Sequence, residues 1–407
     1  MSIFSMEPFS GLPGRIRDLT DSIFRSNPIY QLVLFDRLSQ KEKEVLADLL
    51  KDPHFYGILR SNTHDLGMKS VCCDTALLFF TMIKPGKIPT YAKVMFGHRF
   101  NEVVSRLVLD RILEIKLNDK FISGTEAYGF INVNESNIIP NGFVNRLSID
   151  AMKYGQSLQF NDYLKLSARL YFYNRIPVST QWKSLFSSEN AIIKYLGLEQ
   201  GGKNQEILDK YWACPRLSSV NNNWRFWTSK KVIPGKRAYK LYISPSCEHI
   251  SETFGTTLEV LTKLQAPSFK IGKDVYGLLR PDKMIAYFTT FDEMSEAAAK
   301  LLHHLQGIPA HGVPFTASIE PSGLLSWGMD PPRQQHILPW QGPSWRRWVT
   351  DRLSVSLITA KASTPSGIEA WQFALERLRL EGVDTTSWIP TPKIWNEEKG
   401  GIKNKSD

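Results

Sequence analysis

The segment Tyr239–Ser244, which reads Tyr-Lys-Leu-Tyr-Ile-Ser, decides the fold class of this chain. Its residues alternate in polarity and are rich in Tyr and Ile, which is typical of a β-strand. A helical period of apolar residues follows over 252–264. Two more strands are predicted at Ser268–Ile271 and Lys283–Phe288, and a helix at Asp292–Leu305. Strands interleaved with helices indicate a mixed α/β or α+β arrangement.

Residues further along the chain continue this mixed pattern. A Pro/Gly-rich run, Gly307–Pro332, leads to predicted helices over Ser344–Thr359 and Gly367–Leu378. Upstream, helices are predicted over Asn161–Tyr173 and Ser188–Tyr195.

A basic and aromatic stretch precedes the first strand. Residues 202–240 hold nine Lys and Arg against two acids, together with Trp212, Trp224, Phe226 and Trp227. Such a mixture fits a surface that binds a phosphate backbone or an acidic peptide. It also fits a solvated connector whose aromatic side chains dock on a neighbouring domain. We favour the connector, because charge runs are usually solvated.

The first 140 residues are predicted to be mainly helical. Ser39 and Glu42 have capping-box spacing before an apolar stripe, and a helix is expected over Val71–Met82. Phe100–Leu109 then places valine and leucine side chains on one helical face, and a hairpin with a turn at Asn118-Asp119 follows. Helices closed by such a hairpin resemble a winged helix-turn-helix.

Charge argues against DNA as the partner of this N-terminal region. Residues 1–120 contain 17 basic and 14 acidic side chains, whereas a groove-reading domain is usually far more basic. We therefore favour a peptide-binding, protein-binding or structural role, and we do not expect nucleic acid as a partner.

Length and composition indicate how many domains the chain can form and which compartment suits it. With 407 residues, 42% hydrophobic, the chain is long enough for two or more domains. We predict a winged-helix-like domain at 1–140, a helical and basic connecting region at 141–235, an α+β domain at 236–395, and a disordered tail at 396–407. Four cysteines without a C-x-x-C pair, and the lack of a signal peptide or a 20-residue apolar run, suggest the cytoplasm and no membrane partner.

Cationic and phenolic residues recur on the predicted strands. Lys240 and Tyr242 are two apart and share a face of the first strand, and Lys270 lies on the second. Arg280 precedes the third strand, which contains Tyr287. Several cations around one anion lower the pKa of a lysine among them, and such a lysine can act as a general base. The other interpretation is that the lysines are surface charges and the tyrosines belong to the core.

These residues also resemble a family, the phosphothreonine lyase fold of bacterial type III effectors and of the lyase domains of lanthipeptide synthetases. A related plant-pathogen effector family occurs as stand-alone proteins in peptide natural-product clusters. The resemblance extends roughly over 237–333. It rests on four short runs: Lys240-Leu-Tyr242-Ile-Ser, Phe269-Lys270-Ile, Arg280, and Ala286-Tyr287.

The resemblance implies a cofactor-free lyase that removes phosphate from phosphoserine or phosphothreonine in a peptide and leaves a dehydroamino acid. Lys270 would remove the α-proton, Lys240 and Arg280 would bind the phosphate, and Tyr287 would line the site. Arg333 is a candidate for a second phosphate-binding arginine. A separate kinase would supply the phosphorylated peptide.

One position departs from the family. The lyases place a histidine where Tyr242 stands, and that histidine protonates the leaving phosphate. Tyr242 would take this role here. Two other hypotheses stay open, a non-catalytic phosphopeptide- or partner-binding protein of the same fold and a winged-helix regulator associated with nucleic acid.

Overall fold

The segment Tyr239–Ile243 crosses the middle of a seven-stranded sheet, the largest among the described residues. The computed structural model describes residues 16–62, 68–132, 142–214, 223–232, 239–331, 344–362 and 368–391. Arg333 and the predicted tail 396–407 lie outside these ranges. Helices and strands occur in both halves of the chain, so the fold is mixed α+β, as predicted.

The N-terminal part contains six short strands and five α-helices in the described ranges. The strands are β1 Phe24–Ser26, β2 Tyr30–Leu34, β3 Phe55–Ser61, β4 Lys69–Cys72, β5 Leu113–Leu117 and β6 Lys120–Ile122. The helices are α1 Gln40–Leu46, α2 Cys73–Thr81, α3 Thr90–Phe96, α4 Phe100–Leu109 and α5 Thr125–Ile131.

The rest of the chain supplies the large sheet and the helices around it. The helices are α6 Phe143–Ser157, α7 Tyr163–Tyr171, α8 Thr180–Leu185, α9 Glu189–Tyr195, α10 Lys203–Tyr211, α11 Ile250–Lys263, α12 Val275–Leu278, α13 Phe291–His304, α14 Trp345–Lys361 and α15 Ala370–Leu380. The strands are β7 Trp212–Ala213, β8 Trp224–Ser229, β9 Tyr239–Ile243, β10 Ser268–Gly272, β11 Met284–Phe288, β12 Ala317–Ser318, β13 Leu325–Met329, β14 Val383–Asp384 and β15 Ile389–Pro390.

The helix and hairpin predicted around residue 110 are both present. α4 ends at Leu109, and β5 and β6 pair antiparallel across Asn118 and Asp119. Both turn residues have positive φ, 44° and 65°, as in a two-residue type I′ turn. β1 pairs with β5 and completes a three-stranded sheet.

The prediction for the N-terminal part omitted four strands. β2, β3 and β4 form a second antiparallel sheet, in which Val71 pairs with Gly57. The predicted helix over Val71–Met82 therefore begins only at Cys73. Strands of three to seven residues give no long apolar run, so the periodic signal was too short to detect them.

The large sheet is antiparallel throughout, in the order β12–β13–β9–β11–β10–β8–β7. Along each central strand, side chains alternate between two faces. One face carries Leu241, Phe269 and Ala286, which are buried in the same core as α11 and α13. The opposite face carries the predicted site residues.

Two strands of this sheet come from the stretch that was predicted as a basic connector. Trp212 on β7 meets the Phe269 ring edge-on at 4.7 Å, and Trp227 on β8 stacks on it at 5.0 Å. The docking of aromatic side chains was expected, but their place in strands was not. The reason is that Arg225 interrupts the apolar pattern of β8; it pairs with Glu189 at 2.6 Å. The domain division stays a prediction, although the sheet crosses the boundary proposed at residues 235 and 236.

A layer of helices from α6, α7, α14 and α15 packs beside the sheet and has its own core of leucine, methionine and tryptophan side chains. β13 leads toward this layer; it lies in the run 307–332, for which only a Pro/Gly-rich connection was predicted. Arg377 on α15 donates two hydrogen bonds, both 2.8 Å long, to the Asp110 carboxylate after α4. Among the described residues, no helix is both long and apolar enough to cross a bilayer.

Candidate active site

The register of the central strands brings four predicted site residues onto one face of the sheet. Lys240 on β9 lies opposite Tyr287 on β11. Tyr242 and Lys270 share the next cross-strand row, with Ile285 between them. Two strand spacings separate their backbones by about 10 Å, and both side chains point to the same side. We call this group, together with Arg280, the cationic face.

Lys270 occupies an aromatic environment at the centre of the cationic face. Its Nζ lies 4.2 Å from the centre of the Trp224 ring and 5.7 Å from that of Tyr287. No carboxylate lies within salt-bridge distance of it in the part of the chain that the structure describes. Burial and the nearby charge of Lys240 lower the pKa of Lys270 to about 8.

Lys240 is already paired with a carboxylate of the chain. Its Nζ lies 2.5 Å from Oδ1 of Asp330, which directly follows β13. It also lies 5.5 Å from the centre of the Tyr287 ring. Burial raises the pKa of Asp330 although Lys240 opposes that shift. No local pattern singled out Asp330, because it becomes part of the face only when β13 pairs with β9.

Arg280 is held in a buried ionic network. Its guanidinium donates to both carboxylate oxygens of Asp282, at 2.7 and 2.9 Å, and to the hydroxyl of Tyr171 at 3.1 Å. Its Cζ lies 4.9 Å from the centre of the Trp224 ring, so Arg280 and Lys270 contact the same side chain. Arg280-Pro-Asp282 was visible in the sequence, but the partner from α7 was not.

Arg346 on α14 is a further cation that the sequence analysis missed. It is 1% exposed, and its Nη1 lies 2.9 Å from Oδ2 of Asp282. It also donates to the carbonyl oxygens of Pro314 and Tyr171. Burial alone would raise the pKa of Asp282, but Arg280 and Arg346 outweigh it and hold that pKa below its ordinary range. Arg333, the predicted second arginine, lies outside the described residues.

Tyr242 is 2% exposed and packs with Ile285 and Val313. Burial, and then the charge of Asp330, raise the pKa of Tyr242 well above its ordinary value. The phenol therefore stays neutral at any ordinary pH and is a weaker acid than a free tyrosine. It can donate a hydrogen bond, but it is poorly suited to give up a proton.

The electrostatic balance of this region suits an anion. Lys240, Lys270, Arg280 and Arg346 contribute four positive charges when protonated, and Asp282 and Asp330 contribute two negative ones. The surplus of two matches the charge of a phosphate monoester.

No protein family and no curated protein matches this chain. Two solved structures of effector proteins are similar to it. The effector protein from Pseudomonas syringae pv. syringae strain 61 has a TM-score of 0.38 and 14% identity, over 61% of this chain and 98% of that one. The effector protein from Pseudomonas syringae pv. tomato strain DC3000 has a TM-score of 0.37 and 14% identity, over 61% and 97%.

Proposed function

We propose that this protein is a cofactor-free lyase that eliminates phosphate from phosphoserine or phosphothreonine in a peptide. The observation that carries the proposal is the environment of Lys270, an amine enclosed by two aromatic rings beside Lys240 and Arg280. With a pKa of about 8, roughly a tenth of this lysine is neutral near pH 7 and able to accept a proton.

In the proposed reaction, the Nζ of Lys270 takes the α-proton of the phosphorylated residue. The electrons of that C–H bond form the Cα–Cβ double bond, and the Cβ–O bond breaks as phosphate leaves. No oxidant or reductant is needed. The products are a dehydroamino acid in the peptide and inorganic phosphate.

Cations next to Lys270 would bind the phosphate and stabilise the charge that develops on it. Lys240 and Lys270 both contact the ring of Tyr287, and Arg280 and Lys270 both contact the ring of Trp224. Because Asp282, itself paired with Arg346, and the Tyr171 hydroxyl hold the guanidinium of Arg280 in advance, little reorganisation would be required during the reaction. Tyr287 would line the site, and Tyr242 would donate a hydrogen bond to a phosphate oxygen.

The N-terminal part would help to bind the peptide. α4 followed by the β5–β6 hairpin, with β1 on its edge, is the feature that supports a winged-helix-like interpretation. Its nearly balanced charge suits a peptide better than DNA. A separate kinase would supply the phosphate.

Mass spectrometry of phosphoserine and phosphothreonine peptides tests the function. Wild-type protein should convert the peptide to a species that has lost phosphoric acid, and Lys270→Ala should not. Lys361→Met is a matched control, because burial also lowers the pKa of Lys361, which lies at the far end of α14 from Asp330. It should retain turnover. Intact peptide with the wild-type protein, across peptides of varied flanking sequence, would refute the lyase.

The alternative function is phosphopeptide binding without catalysis. It is favoured by the carboxylate partners that Lys240 and Arg280 already have, Asp330 and Asp282. Saturable binding of the same peptides without loss of phosphoric acid would support this alternative.

A further inference from the structure

Asp330 directly follows β13, the strand that pairs with β9, and β9 carries Lys240 and Tyr242. On β13, Ser326 lies opposite Tyr242 and Gly328 lies opposite Lys240. Asp330 continues the same alternation, so its side chain points to the same side of the sheet. Its Oδ1 accepts hydrogen bonds from Nζ of Lys240 at 2.5 Å and from the backbone N–H of Trp345 at 3.2 Å.

This carboxyl group lies where a bound phosphate would approach. A phosphate that binds Lys240 shares its cation with Asp330, and two anions at one cation favour protonation of the weaker acid. Lys240 and Lys270 face Asp330 from β9 and β10, Tyr242 faces it from β9, and α14 supplies the N–H of Trp345. Proton uptake by the carboxyl group would relieve the repulsion and leave a proton beside the phosphate.

The elimination itself requires such a proton. A phosphate monoester that leaves as a dianion without a proton becomes a trianion, which is strongly basic and a poor leaving group. Tyr242 is an inadequate source, because its burial and the neighbouring Asp330 make the phenol a very weak acid.

We propose that Asp330 is the proton donor to the leaving phosphate, an inference that rests on the proposed lyase function. Substrate binding protonates the carboxyl group. As the Cβ–O bond breaks, the bridging oxygen takes the bonding electron pair and the proton of Asp330, and Lys270 retains the α-proton. The carboxylate that results is stabilised by Lys240, as it was before substrate bound, and release of the α-proton from Lys270 to solvent completes the cycle.

Kinetics of Asp330→Asn test this role. We expect kcat for a phosphoserine peptide to fall at least 100-fold, the range of a lost general acid. KM should stay level or decrease, because a competing anion has been removed from Lys240. Tyr242→Phe should lower kcat less than Asp330→Asn does. Asp351→Asn is the control. It changes a buried carboxyl group on α14 that is bonded to Ser167 and Arg347, and it should leave both constants unchanged.

A purely structural or charge-neutralising role gives different results. A kcat within threefold of wild type, or a loss carried by a higher KM alone, overturns the assignment of Asp330 while the lyase function stands. If the wild-type protein eliminates no phosphate at all, the function and the donor are both refuted.

Proton uptake provides a second measurement that does not depend on the folding of Asp330→Asn. The measurement uses the Lys270→Met variant, because Lys270 is the other group, besides Asp330, that would gain a proton when phosphate binds. Calorimetry of phosphopeptide binding to this variant at pH 7.5, in two buffers of different ionisation enthalpy, should show uptake of about one proton. At that pH the phosphate is already dianionic, since its second pKa is about 6. Binding without proton uptake overturns the proposal.

Discussion

At the scale of single residues, the charge of Lys270 destabilises the folded protein, because burial disfavours the protonated amine. Its folded pKa of about 8 lies below the value of about 10.4 for a free lysine. Below pH 8 the amine is charged in both states, so the folded state bears the full penalty of its buried charge. Between pH 8 and 10.4 the folded state releases the proton first, and stability rises. Above that range the penalty is gone.

Lys270→Met should therefore stabilise the protein at pH 7. A shift of about two pKa units corresponds to about 3 kcal/mol, so we expect the free energy of unfolding to increase by about 1–3 kcal/mol. Urea unfolding at pH 7 and at pH 10.5 measures this difference in free energy of unfolding between variant and wild type. The difference should nearly vanish at the higher pH.

The same substitution at Lys361 gives the opposite expectation. Its amine donates to the carbonyl oxygens of Gly155 and Leu158, so Lys361→Met should lose stability at pH 7. A Lys270→Met protein that is less stable than wild type at pH 7 would contradict the proposed environment of Lys270.

At the scale of elements, the contact between β13 and α14 fixes Asp330 and Arg346 relative to the sheet. Gly328 allows this contact: a Cβ at that position would lie 2.6 Å from Cδ1 and 2.9 Å from Cγ of Trp345, which is fully buried. The ring of Trp345 also donates a hydrogen bond from Nε1 to the carbonyl oxygen of Phe315 at 3.0 Å, so it cannot easily move away.

Gly328→Ala should displace the start of α14 and destabilise the protein by about 1–3 kcal/mol, as overpacking of a core does. Urea unfolding measures this loss, and turnover should fall with it because Trp345 and Asp330 shift together. Gly86→Ala is the control, since nothing lies within 4 Å of the added Cβ and its φ is not positive. Equal stability of the Gly328→Ala and wild-type proteins would show that the contact with Trp345 leaves room for a Cβ at position 328.

At the scale of the whole molecule, a buried ion pair connects the N-terminal part to the C-terminal helices. Arg377 on α15 is 4% exposed and bonds Asp110 in a fork, with Glu381 as a second partner at 3.1 Å. Phe373 and Ala360 extend the contact, because they belong to the same apolar core as α4. The two ends of the described chain are thus packed together.

Asp110→Ala should lower the free energy of unfolding by about 2–4 kcal/mol, since it leaves a buried guanidinium short of a partner. Urea unfolding followed by fluorescence and by circular dichroism measures the loss and shows whether the N-terminal part then unfolds separately. Lys87→Ala, which breaks an exposed pair with Asp21, should change stability by less than about 0.5 kcal/mol. A similarly small effect of Asp110→Ala would mean that the apolar contacts alone hold the two parts.

Local patterns in the sequence were enough to predict the α+β class, the central strands β9, β10 and β11, and the β5–β6 hairpin. Each is encoded by residues a few positions apart: a period of two in the strands, and Asn118-Asp119 in a turn that tolerates positive φ. The same period placed Lys240 and Tyr242 on one face before any pairing was known. The roles of these residues and of Lys270 stay predictions.

Only the tertiary structure revealed that Trp224 contacts Lys270 and that Asp330 and Arg346 pair with Lys240 and Asp282, respectively. Trp224, Asp330 and Arg346 lie between 46 and 76 positions from Lys270 in the chain. They reach this region of the fold through the pairing of β8 with β10, the pairing of β13 with β9, and the packing of α14. Strand order and register depend on which distant surfaces bury each other best, and no local periodicity records that choice. For the same reason the sequence indicated Lys240, Lys270 and Arg280, whereas Arg346 and the carboxylate partner of Lys240, Asp330, emerged only from the fold.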